Sequence, residues 1–317
     1  MTQSTPQLNA PNNATPITNA LTVDVEEYFQ VSGFEDVIPR SSWDTFETRV
    51  ERSTDRLLDV FSRTDVTATF FALGWTAERH PDLIRRIRAA GHEVGCHSYA
   101  HRLVYQCSPD EFREDTRRAK GILEDILGEP VVGYRAPSFS VTAKSLWALE
   151  ILVEEGFQYD SSIFPVYRDR YGIPAAPRRP FKVVTSPGSS TTAERSIMEF
   201  PLATVRTLGV NLPIGGGGYL RLVPDWVFYR AIGRVVEKDR VPAVLYIHPW
   251  ELDPDQPRIR SGSWLSRFRH TVNLHTAEQK LTALLHRWRF RSIAGVLEGM
   301  QPVPGIDLDR IAATGRT

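Results

Sequence analysis

Cysteine is scarce in this chain of 317 residues. Cys96 and Cys107 are the only two, too few for a disulfide scaffold and in keeping with a reducing compartment. Net charge is absent as well: 38 Lys and Arg balance 38 Asp and Glu. No bulk field therefore draws the protein to nucleic acid or to an anionic membrane. No apolar run approaches the roughly 20 residues of a membrane-spanning helix, and there is no internal repeat. Residues 1–18 have neither the basic n-region nor the apolar h-region of a secretory signal. Rich in Asn, Pro, Thr and Gln, they are expected to be a disordered tail, and the location expected from these absences is the cytoplasm. The glycine run Gly215–Gly218 lacks the Lys-Ser/Thr of a nucleotide-phosphate loop, so it is expected to be a flexible turn beside a cleft.

What is present is an ordinary apolar fraction, 41%, enough for a sizeable core. Strand-like runs are expected at Ala20–Val25, Thr67–Leu73, His92–Cys96, Val131–Tyr134, Phe157–Tyr159, Phe181–Val184 and Ala243–Ile247. Amphipathic helices are expected between them at Thr45–Phe61, Pro81–Ala90, Pro109–Leu127, Thr142–Glu155, Pro224–Lys238 and Thr276–Trp288. Leu281, Leu284, Leu285 and Trp288 follow the helical period, and Gly91, Gly128 and Gly156 stand where helices should stop. This alternation predicts an α/β fold, a parallel sheet, closed or open, covered by helices. Gly172–Ala193 reads as a long loop or peripheral insertion.

The most informative stretch is His97-Ser98-Tyr99-Ala100-His101, directly after a strand-like run. On a helical turn, residues four apart share a face, and two imidazoles plus one further donor suffice for a catalytic metal site. Strand alternation turns Cys96 away from His97. A carboxylate cluster, Asp24-Val25-Glu26-Glu27, ends the first strand. Period-two alternation puts Asp24 and Glu26 on one face and Glu27 on another unless the strand bulges. Two such carboxylates can divide labour, one ligating a metal and the other taking a proton; an acidic strand end can equally cap the next helix. Asp24, His97, Arg135, Asp160 and His248 each fall at or just after the C-terminal end of a strand. In barrels of alternating strands and helices, that end builds the active site.

These residues lie in motifs that resemble the polysaccharide deacetylases related to nodulation chitooligosaccharide deacetylase, carbohydrate esterase family four. "TVDVEE" at Thr22–Glu27, "HSYAH" at His97–His101, "RAPSFS" at Arg135–Ser140, "YDSS" at Tyr159–Ser162 and "LYIHPWE" at Leu245–Glu251 occur in the family's order. The resemblance covers roughly residues 20–295. It implies a distorted (β/α)7 barrel, with residues 1–19 and 296–317 as tails and a subgroup-specific part from about 200 to 295. "DVEEYFQV", "YRAPSFS", "GGGGYLRL" and "HPWELDPDQPR" resemble a bacterial subgroup associated with exosortase systems and exopolysaccharide loci. One position departs from the pattern: many relatives carry two adjacent aspartates in the first motif, and here Val25 occupies the second place.

What the resemblance implies is N-deacetylation of hexosamines in a bacterial polysaccharide or its precursor. Asp24 would be the base and His248 the acid. Arg135 would orient Asp24, and Asp160 would be the partner that raises the pKa of His248. Glu26, His97 and His101 would hold a divalent metal, with Glu27 as the competing ligand if the strand bulges; zinc comes first, with cobalt, nickel or manganese as alternatives. A backbone N–H near Ser138 would help bind the oxyanion. Trp250 either stacks on a sugar ring or packs in the core, while Tyr219 and Arg221 would line the groove. The arginines of 258–270 either meet an acidic polysaccharide or lie in a solvated loop. The partner expected is an N-acetylated polysaccharide or oligosaccharide, with no nucleic acid and no integral membrane segment. An allantoinase-like small-amide hydrolase and an inactive carbohydrate-binding module are the other classes on this fold.

Overall fold

The computed structural model describes residues 16–168, 170–185, 195–303, 305–308 and 310–311; the expected N-terminal tail up to residue 15 lies outside them. Strand and helix alternate through β1 (Asn19–Val25), α1 (Val50–Thr64), β2 (Thr69–Ala72), α2 (Gly74–Arg79), α3 (Pro81–Ala89), β3 (Glu93–Cys96), α4 (Pro109–Leu127), β4 (Gly133–Tyr134), α5 (Trp147–Glu154) and β5 (Tyr159–Asp160). The second half is less regular. It runs through β6 (Phe181–Thr185), β7 (Arg195–Glu199), the hairpin β8 (Thr204–Thr207) and β9 (Val210–Pro213), α6 (Gly217–Leu222), α7 (Asp225–Gly233) and β10 (Val244–Ile247). It ends with α8 (Trp264–Thr271), α9 (Leu274–Arg287), β11 (Phe290–Arg291), α10 (Ile293–Leu297) and β12 (Gly305–Asp307).

The main sheet has the order β10-β1-β2-β3-β4-β5-β7-β6-β12, with β11 beside the start of β1. All pairs in it are parallel except β6 with β7. β6 occupies the second edge of β7, so among the described residues no ladder joins β7 to β10. The ring is closed instead by the residues that follow β7. Leu202 N–H donates to Ile163 O, Ala203 N–H to Val244 O, Ile214 N–H to Ala203 O and Tyr246 N–H to Gly215 O. The result is the distorted α/β ring expected from the sequence, its positions filled by β10, β1, β2, β3, β4, β5 and the segment around residues 200–216.

Side-chain parity explains both layers. On β1, Leu21, Val23 and Val25 pack outward with the helices, among them Leu57, Val60 and Phe61 of α1. Ala20, Thr22 and Asp24 point into the ring, as alternation along a strand requires. The interior is filled by Ala20, Phe71, Phe139, Tyr159, Phe164, Phe200, Leu202 and Val244. Gly133 has no side chain because a Cβ there would overlap the Tyr159 ring. A third cluster, Tyr28, Phe29, Phe34, Ile38, Trp43, Trp250 and Leu274, gathers the loop after β1 with the segment after β10.

Two element boundaries differ from expectation for physical reasons. The helix expected from Thr45 begins at Val50, because Glu27 reaches across to cap it. Its carboxylate accepts from Thr48 Oγ1, Arg49 N–H (2.9 Å) and Val50 N–H (3.1 Å), satisfying donors that a helix start leaves bare. α4, by contrast, follows its local signals: Ser108 and Glu111 form a reciprocal capping box, Pro109 opens the helix and Gly128 closes it at φ 69°. At the C-terminus, the expected tail from residue 296 is partly ordered. α10 plugs the ring's N-terminal end with Ile293 and Val296, Ile293 N–H donating to Thr69 Oγ1 (2.8 Å). β12 pairs with β6.

Candidate active site

Because the strands are parallel and in register, their C-terminal ends form one mouth. Val25 pairs with Ala72, Ala72 with Cys96, and Cys96 with Tyr134. The inward positions at or next to those ends are Asp24, His97 and Arg135, with His248 just beyond β10. Glu26 lies two residues past Asp24 and on the same side, one residue beyond the strand.

Glu26, His97 and His101 present donor atoms that all lie within 4.8 Å of one another, and all three side chains are buried. The His97 Nδ1–H donates to the carbonyl of Arg135 at 2.7 Å, which leaves the lone pair of Nε2 for the site. The two imidazoles do not share a helical turn. They are brought together by an irregular loop in which Ser98 has φ 65° and His101 φ 52°. Ser98 Oγ accepts the His101 N–H, Arg40 donates to the carbonyls of Ala100 (2.6 Å) and His101 (2.9 Å), and Asp115 accepts from Tyr99 N–H (2.7 Å). The ring centroids stand 5.5 Å apart. Glu26 Oε2 is 3.0 Å from His101 Nε2 yet makes no directed hydrogen bond. A buried carboxylate oxygen so placed, facing ring nitrogens, is a donor set that a divalent cation satisfies, so these residues fit the expected metal.

Asp24 is held from below. Arg135 is wholly enclosed, and its Nη1 donates to Asp24 Oδ1 (2.8 Å) and Thr22 Oγ1 (2.6 Å). Its Nη2 donates to Ser161 Oγ (2.8 Å) and its Nε to Ser161 O (3.1 Å). The guanidinium lies 4.4 Å above the Phe71 ring. A guanidinium with this many partners is fixed in orientation as well as charge.

His248 faces Glu26 from the other side, Nε2 to Oε1 at 3.2 Å. Its second nitrogen, Nδ1, meets Glu251 Oε1 at 3.0 Å, and Glu251 is gripped by Arg221 Nε at 2.7 Å. Burial pushes the Glu26 carboxyl up, but the imidazoles of His101 and His248 outweigh it and hold it down at about 2. Burial pushes His97 down to about 4, the neutral form that a ligand requires. Burial works against protonated His248 too, yet Glu26, Glu251 and Asp24 around it raise it to about 9.

Several expected roles are corrected. Asp160 does not pair with His248. Tyr159 points into the ring, so alternation turns Asp160 to the outer face, where its register partner is Glu199 on β7. There it accepts from Ser162 Oγ (2.5 Å), and the residue that supports Arg135 from β5's end is Ser161. The partner of His248 is Glu251. Trp250 is not free to stack on a sugar: it is buried between His248 (5.0 Å, 23°) and His270 (4.5 Å, 25°). Arg221 lines no groove, because it is buried against Glu251 and the carbonyls of Val272 and Arg269. Tyr219 is half-buried against the outer core and bonded to Arg168. Ser138 lies on the mouth side, just past Arg135, in the left-handed region (φ 51°) with its hydroxyl on Ser32.

Glu251, Ser161 and Glu199 were not expected as site or support residues, and Arg221 was expected to line the groove rather than to hold Glu251. The spacing of His248 and Glu251 carried a signal, since a carboxylate three residues after a helix cap folds back on it. Arg221 carried none, because its partner lies 30 residues away.

Two family profiles match the chain. Residues 35–156 match the polysaccharide deacetylases, and residues 161–298 match a domain of unknown function (DUF3473). His97, His101 and Arg135 fall in the first; His248, Glu251 and Arg221 fall in the second. Curated relatives include a peptidoglycan-N-acetylglucosamine deacetylase of Bacillus cereus, 34% identical over 98 residues, 31% of this chain and 36% of that protein. A chitooligosaccharide deacetylase of Bradyrhizobium is 39% identical over 100 residues, 31% of this chain and 43% of the other. The match thus spans less than half the length of either relative. Among solved structures, a protein of Mycobacterium smegmatis assigned to the polysaccharide deacetylases superposes with a TM-score of 0.59 at 20% identity, over 95% of this chain and 98% of its own; that likeness is one of fold. Residues 35–156, with the motifs they carry, thus match the polysaccharide deacetylases.

Proposed function

We propose that the chain is a metal-dependent hydrolase that removes N-acetyl groups from hexosamine residues of a bacterial polysaccharide or its precursor, in exopolysaccharide biosynthesis and on the cytoplasmic side. The observation that carries this reading is the convergence of Glu26, His97 and His101 with the Arg135-held Asp24 and His248 at one mouth. The relatives named as deacetylases support the reaction class.

Glu26, His97 and His101 would hold the divalent cation, zinc first. When bound there, the cation supplies Lewis acidity to the acetyl carbonyl and brings the pKa of water toward neutrality. Asp24 takes the proton of the attacking water, and Arg135 keeps that carboxylate aimed. His248, charged beside Glu26 and Glu251, donates a proton to the nitrogen as the C–N bond breaks, so that a neutral amine leaves. General acid and base contributions of this kind are each worth about 10²–10⁴ in rate.

The test combines metal analysis of the purified protein with amine release from N-acetylated oligosaccharides and, in parallel, ring opening of allantoin. Bound metal with amine release supports the reading. Turnover of allantoin alone, or metal-free protein that binds the oligosaccharide without cleaving it, overturns it.

A further inference from the structure

The glycine run Gly215–Gly218 is not required by any phosphate-loop chemistry, yet its middle is under tight steric control. A Cβ on Gly217 would lie 2.6 Å from both Cδ and Oε2 of Glu251, whereas one on Gly218 would meet nothing within 4 Å. The carboxylate of Glu251 therefore rests directly on the backbone of Gly217, in space that only glycine leaves open. Its two oxygens are fully engaged there. Oε1 accepts from both the backbone N–H (3.1 Å) and the imidazole Nδ1–H (3.0 Å) of His248, while Oε2 accepts from Arg221 Nε (2.7 Å). Arg221 is itself fixed, its Nη1 on Val272 O at 2.5 Å and its Nη2 on Arg269 O at 3.2 Å. The ring of His248 is stacked on buried Trp250.

From this geometry we infer that Glu251 is the positioning residue of His248, and that Gly217 is the slot that seats it. The inference rests on the deacetylase reading for its kinetic consequence and on the structure alone for its geometry. With Nδ1–H bonded to Glu251, the imidazole is set so that Nε2 points at the mouth, 3.2 Å from Glu26 Oε1. Arg221 holds the carboxylate from the far side and keeps it from turning toward the cation site. The Asp160–Glu199 pair cannot serve this purpose, since it lies on the outer face of the ring. Glycine 217 is helical, with no left-handed φ to protect, so its need for hydrogen in place of a methyl group is steric.

The decisive variants are Gly217→Ala and its neighbour Gly218→Ala, neither of which removes a polar group. Each is assayed on an N-acetylated chitooligosaccharide and on an activated aryl acetate, whose leaving group needs no proton. In Gly217→Ala, kcat for the amide is expected to fall at least about tenfold, with a smaller loss on the ester. KM should stay within about twofold, and bound metal should be unchanged. Gly218→Ala should match the wild type throughout. The second readout needs no activity: in ¹⁵N-histidine-labelled protein, the His248 Nδ1–H resonance should be protected in the wild type and Gly218→Ala, and lost in Gly217→Ala and Glu251→Ala. Wild-type amide turnover and an intact resonance in Gly217→Ala overturn the inference, as does an equal loss on amide and ester. Should the wild type release no amine from the oligosaccharide, the deacetylase reading fails and the resonance alone decides the slot.

Discussion

Two carboxylate groups of this molecule are equally buried and electrically opposite in habit. At the mouth, Asp24, Glu26 and Glu251 each face a cation or imidazole: Arg135, His101 with His248, and Arg221 with His248. On the outer face between β5 and β7, Asp160 and Glu199 face each other, and Asp160 is raised to about 6 by burial while Glu199 is driven still further above its ordinary range by burial and by Asp160. At the mouth, the partners hold Glu26 and Glu251 down in the charged form; the outer pair must keep a proton between them. Burial is common to both, so the partner decides the charge.

The strongest way to break this contrast is to remove the imidazoles. His97→Ala and His101→Ala should each abolish bound metal and activity while the fold survives, checked by elemental analysis and circular dichroism; full metal occupancy in both would sink the ligand assignment. Asp24→Asn should cut turnover by at least about a hundredfold and leave the metal in place, because it removes the proton acceptor and not a ligand. Next comes the adjacent pair. Glu26→Ala should lose metal, whereas Glu27→Ala should keep it and instead lose about 0.5–2 kcal/mol of stability as the cap of α1, read by denaturant melts. Metal loss in the Glu27 variant would show that the two roles are exchanged.

The smallest effect concerns the outer pair. Carboxyls whose folded values lie above the ordinary range stabilise fully below that range, and the contribution is lost as pH rises through the folded value. For Asp160, ordinary at 3.8 and about 6 here, the wild type should weaken as pH climbs from about 4 to 6, and Glu199, raised well above its ordinary value, carries the loss further up. Glu199→Gln keeps the acceptor for Ile163 N–H and cannot ionise, so its melting temperature relative to the wild type should rise between pH 5 and pH 8. A difference that does not vary with pH would mean that the pair does not share a proton.

Much of the site was legible because the chemistry sits in short motifs at strand ends. Asp24, Glu26, His97, His101, Arg135 and His248 stand out by residue type and position, and parity along β1 puts Glu26 beside the two imidazoles while Glu27 turns to cap α1. The same rule, applied to β5, would have turned Asp160 outward. Alternation is a weak guide there because the strand is only two residues long, while the motif that Asp160 lies in implies a role at the mouth. Arg221 and Gly217 were illegible for a different reason. Their meaning depends on Glu251, which reaches them through the packing of α6 against the segment after β10. The closure of the ring was equally hidden, since residues 200–203 and 214–216 carry no strand periodicity.

That closure has a consequence for how the molecule breathes. From β10 through β5 the ring is knit by continuous ladders, and the proposed metal ligands all hang from that stretch. Between β7 and β10 it is held by isolated amides, those of Leu202, Ala203, Ile214 and Tyr246. Local opening follows the weakest hydrogen bonding, so the amides of Ala203 and Ile214 should exchange with deuterium well before those of Val23 or Phe70. The stiff arc that carries Glu26, His97 and His101 should show the slow exchange of its ladders throughout, and the seam beside the hairpin the fast exchange.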